Sequence, residues 1–226
     1  TVHRRAQFMT HACQEFDFIF WAQQRPAGLD QLGHLHHQGA PATCISNRLA
    51  ANLHARRPSQ LGVGDDAAVL RPTPGHDLVA TTDSLVLDRH FTTDWPPADV
   101  GHLALAVNLS DLAAMAATPR WALLALTLPE PDADWLDGFL DGFLALARSS
   151  GIVLAGGNLS SGPLNVCVQA LGEVESGSEL RRSGARPGDC LVVTGTLGDA
   201  GAALEAGPGG DPRLLARLHR PRPRLA

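Results

Sequence analysis

The stretch DADWLDGFLDGFLALARSSG (132–151) constrains the fold most, because its pattern admits one local structure. Trp135, Phe139 and Phe143 recur every four residues beside Leu136, Leu140 and Leu144, laying a single apolar stripe along a helix. Gly151 is placed to cap that helix in the left-handed conformation. A one-sided helix has to bury its stripe against another layer, and the flanking sequence supplies strands. RWALLALTLP (120–129) and IVLAGG (152–157) read as buried strands, and LNVCVQALGEV (164–174) alternates Leu164, Val166, Val168 and Ala170. Upstream, DDAAVLR (65–71) and HDLVATTDSLV (76–86) read as two strands joined by the turn PTPGH. PADVGHLALAVNLSDLAAMAATP (97–119) reads as a second helix that Pro119 ends. The resulting ββαβαββ order predicts an α+β fold, a mixed or antiparallel sheet with helices on one face.

The rest of the chain is read more coarsely. EFDFIFWAQQ (15–24) is consistent with a short amphipathic helix. Residues 25–58 show no core pattern, and His34, His36 and His37 read as a solvated loop ahead of a metal site. The turn-rich SGARPGD (183–189) suggests a boundary near residue 178. A strand (CLVVTG, 190–195), a helix (LGDAGAALEAG, 197–207) and a basic helix ending in RPRPRLA are expected beyond it. The expected organisation is an N-terminal segment over 1–59, a main domain over 60–178, and the start of a second α/β domain over 179–226. The chain opens without methionine and stops in mid-pattern, so it is expected to be a piece of a longer protein.

Composition excludes several function classes. With 226 residues, 44% of them apolar and 18% charged, the chain looks globular, and a net charge of −5 argues against general nucleic-acid binding, which would need a basic face. No apolar run is long enough for a membrane span, and no secretory signal is legible at the start. Cys13, Cys44, Cys167 and Cys190 form no C-x-x-C pair, which favours a reducing, cytoplasmic setting. The sequence contains no lysine. A P-loop, a protein-kinase strand lysine and a Schiff-base lysine are therefore excluded. Any phosphate handled by this chain is met by arginine, backbone N–H groups or a bridging metal.

Oxygen-bearing side chains gather at the element ends: Asp65 and Asp66 in GVGDDAAVL, Thr81 to Ser84 in TTDS, Asn108, Ser110 and Asp111 in NLSDLAAM, and Asn158, Ser160 and Ser161 in AGGNLSSGP. Magnesium takes oxygen ligands, commonly one or two carboxylates with substrate phosphates and water. Each group also has an ordinary reading, since aspartates in glycine-flanked turns cap turns and helices. Asn108 and Asp111, three residues apart, share a face of an otherwise apolar helix. An Asp on the buried side there needs a partner, and a metal would serve. GTLGDAG (195–201) lacks the G-x-G-x-x-G spacing of a dinucleotide loop, and no Ser–His–Asp or Cys–His arrangement is legible.

Taken together, these motifs resemble those of the thiamine-monophosphate kinases. These enzymes belong to the ATP-binding superfamily of aminoimidazole ribonucleotide synthetase, selenophosphate synthetase and a hydrogenase-maturation protein. GVGDDAAVL, TTDSLVLDRHF, ALAVNLSDLAAMAATPRWALLALTLP, AGGNLSSGP and LRRSGARPGDCLVVTGTLGDA follow in the family's order, and EFDFI is similar to its N-terminal signature. The resemblance implies the fold of the synthetase-like N-terminal domain and ATP-dependent phosphorylation of thiamine monophosphate. It implies Asp66, Thr81, Thr82, Asp83, Asp111 and Asn158 as ligands of several Mg²⁺ ions, and His90 as a substrate contact. The turn at Gly157 and Asn158 would meet ATP and metal, Arg182 would touch the ATP phosphates, and two copies would pair through their first domains into a shared barrel. No side chain is assigned as a general base, because a phosphate acceptor is already anionic near neutral pH and the task is to bring two polyanions into line.

The chain departs from the family pattern in three places. Asn158 stands where the family commonly has Asp, which removes a charge from that ligand position. Residues 25–58 match nothing in the family, and the family's second domain is expected beyond Ala226. Two other readings stay open at this point: a superfamily relative acting on a different acceptor, and a non-catalytic chain that keeps the dimerising layer.

Overall fold

The structure, a computed structural model, describes residues 67–130 and 132–225. The expected helix over 15–24, the histidines at 34, 36 and 37, and both Asp65 and Asp66 lie outside the described residues.

Four strands and two long helices form the main layer pair: β1 (His76–Val86), α1 (Pro97–Ala114), β2 (Thr118–Leu128), α2 (Ala133–Ser150), β3 (Val153–Ser161) and β4 (Asn165–Glu175). The sheet order is β1-β4-β2-β3. β4 runs antiparallel to both neighbours, whereas β2 and β3 are parallel and joined by the crossover helix α2. This is the expected mixed sheet with helices on one face. A short 3₁₀ turn (Arg182–Gly184) and two helices, α3 (Asp199–Ala206) and α4 (Pro212–His219), follow.

α2 forms where its periodicity places it. The Asp132 side chain caps its start by accepting from the Trp135 N–H at 2.9 Å, and Gly151 ends it at φ 72°. Leu136, Phe139, Leu140, Phe143 and Leu144 are all buried, with Phe139 and Phe143 at zero exposure. Each fully buried Leu or Phe contributes about 1.5–3 kcal/mol. The stripe meets α1 at a distance only glycine allows. A Cβ on Gly142 would fall 1.8 Å from the Ala98 carbonyl oxygen, and one on Gly101 would fall 2.0 Å from that of Phe139. Beneath the helices, Leu124, Leu126, Val166, Val168 and Ala170 close the core, so the alternation of β4 marks its helix-facing side.

Four local expectations are corrected. Residues 67–73 form no strand; the Thr73 N–H and hydroxyl bond instead to the Glu173 carboxylate, both at 2.8 Å. α1 ends at Ala114, not at Pro119, because Ala116 turns left-handed at φ 59° and releases the chain into β2, which contains Pro119. The Gly- and Ser-rich segment 157–161 is not a turn but the second half of β3, held by its ladder to β2. CLVVTG is irregular, with Leu191 and Val192 almost wholly exposed: among the described residues no strand lies beside it to pair its backbone. No helix among the described residues is long and apolar enough to cross a membrane.

Candidate functional site

β1 is an edge strand, and its two faces do different work. Successive side chains alternate across a strand. Thr81 and Asp83 therefore look with buried Leu85 toward α1, while Thr82 and Ser84 look the other way. Opposite them, Asp111 stands on the rim of α1, exposed to solvent, and accepts a 2.8 Å hydrogen bond from the Thr81 hydroxyl. The expectation of an Asp111 on the buried side is thereby corrected, since α1 lies over the sheet's edge and this position overhangs it. The buried member of the pair is Asn108. Its Nδ2 donates to the Ala104 carbonyl at 3.0 Å, and its Oδ1 has no partner.

Asp83 is the perturbed group of this corner. Burial, and then the negative charge of Asp111, push its carboxyl up to about 6. Among the described residues no cationic side chain pairs with either carboxylate. Within the described residues, two carboxylates pressed together with a hydroxyl beside them lack positive charge, and a divalent cation with oxygen preference fits that donor set. Among the described residues no group of three or more His, Cys, Asp and Glu side chains converges on one point. The corner thus offers a carboxylate pair and a hydroxyl, suited to magnesium that completes its shell with phosphate and water.

The remaining candidates divide between locations. Thr82 lies on the open face of the sheet, 3.6 Å from the Cys167 sulfur. Asn158 shares that open face, two residues before Ser160, whose hydroxyl meets that of Thr127 at 3.1 Å. Asn158 is on β3, the opposite edge strand, three strand spacings or about 14 Å from β1. Its side chain is not brought to Asp83 within this chain. Gly157 lies in the same row as Asp83, through Leu124 and Val168, and a Cβ there would fall 1.9 Å from the Leu124 oxygen. His90 follows β1 in a tight turn, its Nδ1 accepting from the Val86 N–H at 3.0 Å. Arg182 is exposed on the 3₁₀ turn, two residues past Leu180, whose N–H bonds to the Met115 carbonyl at the Asp111 end of α1.

Sequence reasoning missed two polar clusters. Glu173 occupies a solvent-parity position of β4 yet is 2% exposed, held by Thr73 and by Arg120 Nε at 2.8 Å. Burial alone would raise its carboxyl, but the hydrogen bonds from Thr73 and Arg120 and the guanidinium charge outweigh it and leave it below the ordinary range. Asp99, in the first turn of α1, takes both His219 Nδ1 at 3.1 Å and Arg220 Nε, while Trp95 lies 3.8 Å from the His219 ring. Contacts between residues about 120 apart leave no local signature.

The segment that carries this geometry is similar to known proteins. The family described as "AIR synthase related protein, N-terminal domain" matches residues 64–174, which contain the whole sheet and the Asp83–Asp111 corner except for the last residue of β4. That match spans just under half of this chain. The thiamine-monophosphate kinase of Salmonella typhimurium is 44% identical over 174 residues, covering 74% of this chain and 54% of that protein. The crystal structure of thiamine-monophosphate kinase from Stenotrophomonas maltophilia K279a superimposes with a TM-score of 0.74 at 44% identity, over 80% of this chain and 61% of that one. AaThiL, solved in complex with AMPPCP and TMP, does so with a TM-score of 0.63 at 32% identity, over 81% and 58%. The chain is thus similar to thiamine-monophosphate kinases over most of its own length. It spans about half the length of the curated relatives it matches.

Proposed function

We propose that this chain carries the metal- and nucleotide-binding part of a kinase that transfers the γ-phosphoryl group of ATP to thiamine monophosphate, giving thiamine diphosphate. The observation that carries the reading is the Asp83–Asp111 corner, a carboxylate pair that no cationic side chain meets among the described residues, in a chain 44% identical over 174 residues to named thiamine-monophosphate kinases. The complex of AaThiL with AMPPCP and TMP supports both substrates.

Asp83, Asp111 and the Thr81 hydroxyl would hold Mg²⁺, with Asp66, Thr82 and Asn158 as the further ligands that the family pattern proposes. Bound there, magnesium supplies charge neutralisation and in-line geometry between two anionic reactants. The chain's own groups prepare that setting. Thr81 orients Asp111 through its hydroxyl, and the burial that raises Asp83 also strengthens any charge contact made there. Gly157, kept without a side chain by its close packing on the Leu124 backbone, would meet the nucleotide through its main chain, and Arg182 offers a guanidinium to its phosphates. His90 meets the acceptor. No base is needed, because the attacking oxygen is already anionic.

Residues 60–178 form the catalytic and dimerising unit in this reading, and 179–226 begin the second domain. The open face of the sheet, with Leu78 44% exposed and Leu123, Ala125 and Leu171 partly so, is the surface through which two copies pair. The setting is cytoplasmic. The test is direct: incubate the protein with Mg-ATP and each candidate acceptor and quantify the products by chromatography. Conversion of thiamine monophosphate to the diphosphate is expected. Turnover of ATP with aminoimidazole precursors and none with thiamine monophosphate would contradict the assignment.

A further inference from the structure

We propose that Val86 fixes His90 as a hydrogen-bond donor through Nε2, so that the atom it recognises on its ligand is an acceptor oxygen of a phosphate ester. This rests on the reading above only in placing His90 at the substrate; the state of the ring follows from the chain itself. A backbone N–H can only donate, and the Val86 N–H points at His90 Nδ1 from 3.0 Å. Nδ1 is therefore the lone-pair nitrogen and the ring proton sits on Nε2. Val86 is the last residue of β1, an edge strand whose outward N–H has no ladder partner among the described residues, and the imidazole supplies one.

The turn holds this arrangement from both sides. The Arg89 and His90 N–H groups donate to the Val86 carbonyl at 3.1 and 3.0 Å. The Asp88 N–H donates to the Phe91 carbonyl at 2.8 Å, with Asp88 in the left-handed region at φ 62°. Phe91 is 4% exposed and anchors the far end in the core. The ring is thus tied to a short, closed turn, and its free nitrogen is presented as N–H on the exposed side. An N–H donor at a fixed place suits a phosphoryl oxygen. It is mismatched to a cationic thiazolium or to any donor group, and it bonds an anionic phosphoryl oxygen more strongly than the neutral ring nitrogens of the aminopyrimidine, so the contact favours the phosphate end of the acceptor and orients it. His90 cannot serve as a base from that nitrogen while the Val86 bond stands.

The first measurement uses the whole chain, uniformly ¹⁵N-labelled, with long-range ¹H–¹⁵N correlation of the histidine rings at about pH 8, above the ordinary imidazole range. His90→Gln identifies the His90 signals by their loss. The expected pattern is a protonated Nε2 and an unprotonated Nδ1; a proton on Nδ1, or averaging between the two nitrogens, overturns the proposal without any ligand present. The second measurement is calorimetric affinity for thiamine monophosphate in two variants. Glutamine places an N–H near the Nε2 position, whereas asparagine keeps an oxygen near Nδ1 to receive Val86 and loses the outer donor. His90→Asn should weaken binding roughly tenfold or more, the size of a hydrogen bond to a charged group. His90→Gln should recover most of it. Equal losses in the two variants, or none in His90→Asn, count against the donor role. A wild-type chain with the Nε2 proton that does not bind thiamine monophosphate would reject the kinase reading and leave the state of the ring established.

Discussion

Replacing Asp83 by asparagine should make the metal-free protein more stable and destroy its use for magnesium. The folded protein holds this carboxyl at about 6, against an ordinary value of 3.8. Between those values the folded state binds more protons than the unfolded one, so stability falls as pH rises through that window. Above about 6 the full cost of an ionised Asp83 is present, and below 3.8 there is none. Fully expressed, the difference amounts to roughly 3 kcal/mol, and solvent screening at a half-buried site reduces it to about half that. Asparagine has nearly the same shape and never ionises. Asp83→Asn should therefore gain on the order of 1.5 kcal/mol at pH 7.5 in EDTA, or roughly 3–6 °C in Tm for a chain of this size. The assay is thermal and urea unfolding of both proteins across the acid limb and at pH 7.5, with EDTA and then with Mg²⁺ and AMPPCP. The gain should vanish toward pH 4, and the ligand pair should stabilise only the wild type. An Asp83→Asn protein no more stable than wild type at pH 7.5 in EDTA would refute the reasoning, because the charge crowding would then be absent.

Three further outcomes follow from the packing. Gly142→Ala places a Cβ 1.8 Å from the Ala98 oxygen; the overpacking cost of about 1–3 kcal/mol or more exceeds the roughly 1 kcal/mol gained in helix propensity, so a lower urea midpoint is expected. Ala116→Gly relieves a left-handed residue at φ 59° and should raise stability by about 0.5–1 kcal/mol, the difference between the strain removed and the extra freedom of the unfolded chain. Glu173→Gln weakens the buried contact with Arg120 and Thr73 and should cost about 1–3 kcal/mol at neutral pH. Because the folded Glu173 is held below its ordinary range, its contribution is present above that range and lost as pH falls through the folded value. The mutant's acid limb should be flatter than the wild type's, as unfolding at a series of pH values will report.

How much of this was legible in the sequence depends on whether each signal is local. The stripe of Trp135, Phe139 and Phe143 with Gly151 behind it located α2 to its caps, since helix period and cap are properties of adjacent residues. The alternation along 164–170 likewise gave β4 and its inward side. Pairing was not legible. Gly156, Gly157, Asn158 and the serines that follow favour a turn by their chemistry, and the ladder to β2 overrides them. CLVVTG has a strand's composition, but composition cannot provide a neighbouring strand. Thr81, Thr82 and Asp83 were recognisable as one oxygen-rich run, yet a strand's period of two sends Thr82 to the opposite face from the others. Asp111 looked inward by its neighbours and proved to overhang an edge strand. Glu173 was invisible because its partners, Thr73 and Arg120, are 100 and 53 residues away.

The most direct test of the central claim is a calorimetric titration of AMPPCP into this protein with Mg²⁺ and again with EDTA, repeated for Asp83→Asn and Asp111→Asn. The account predicts binding that requires magnesium and weakens at least tenfold in either variant, about 1.4 kcal/mol or more. Binding of equal strength in EDTA, or unchanged in both variants, would show that the Asp83–Asp111 corner does not hold the metal-bound nucleotide.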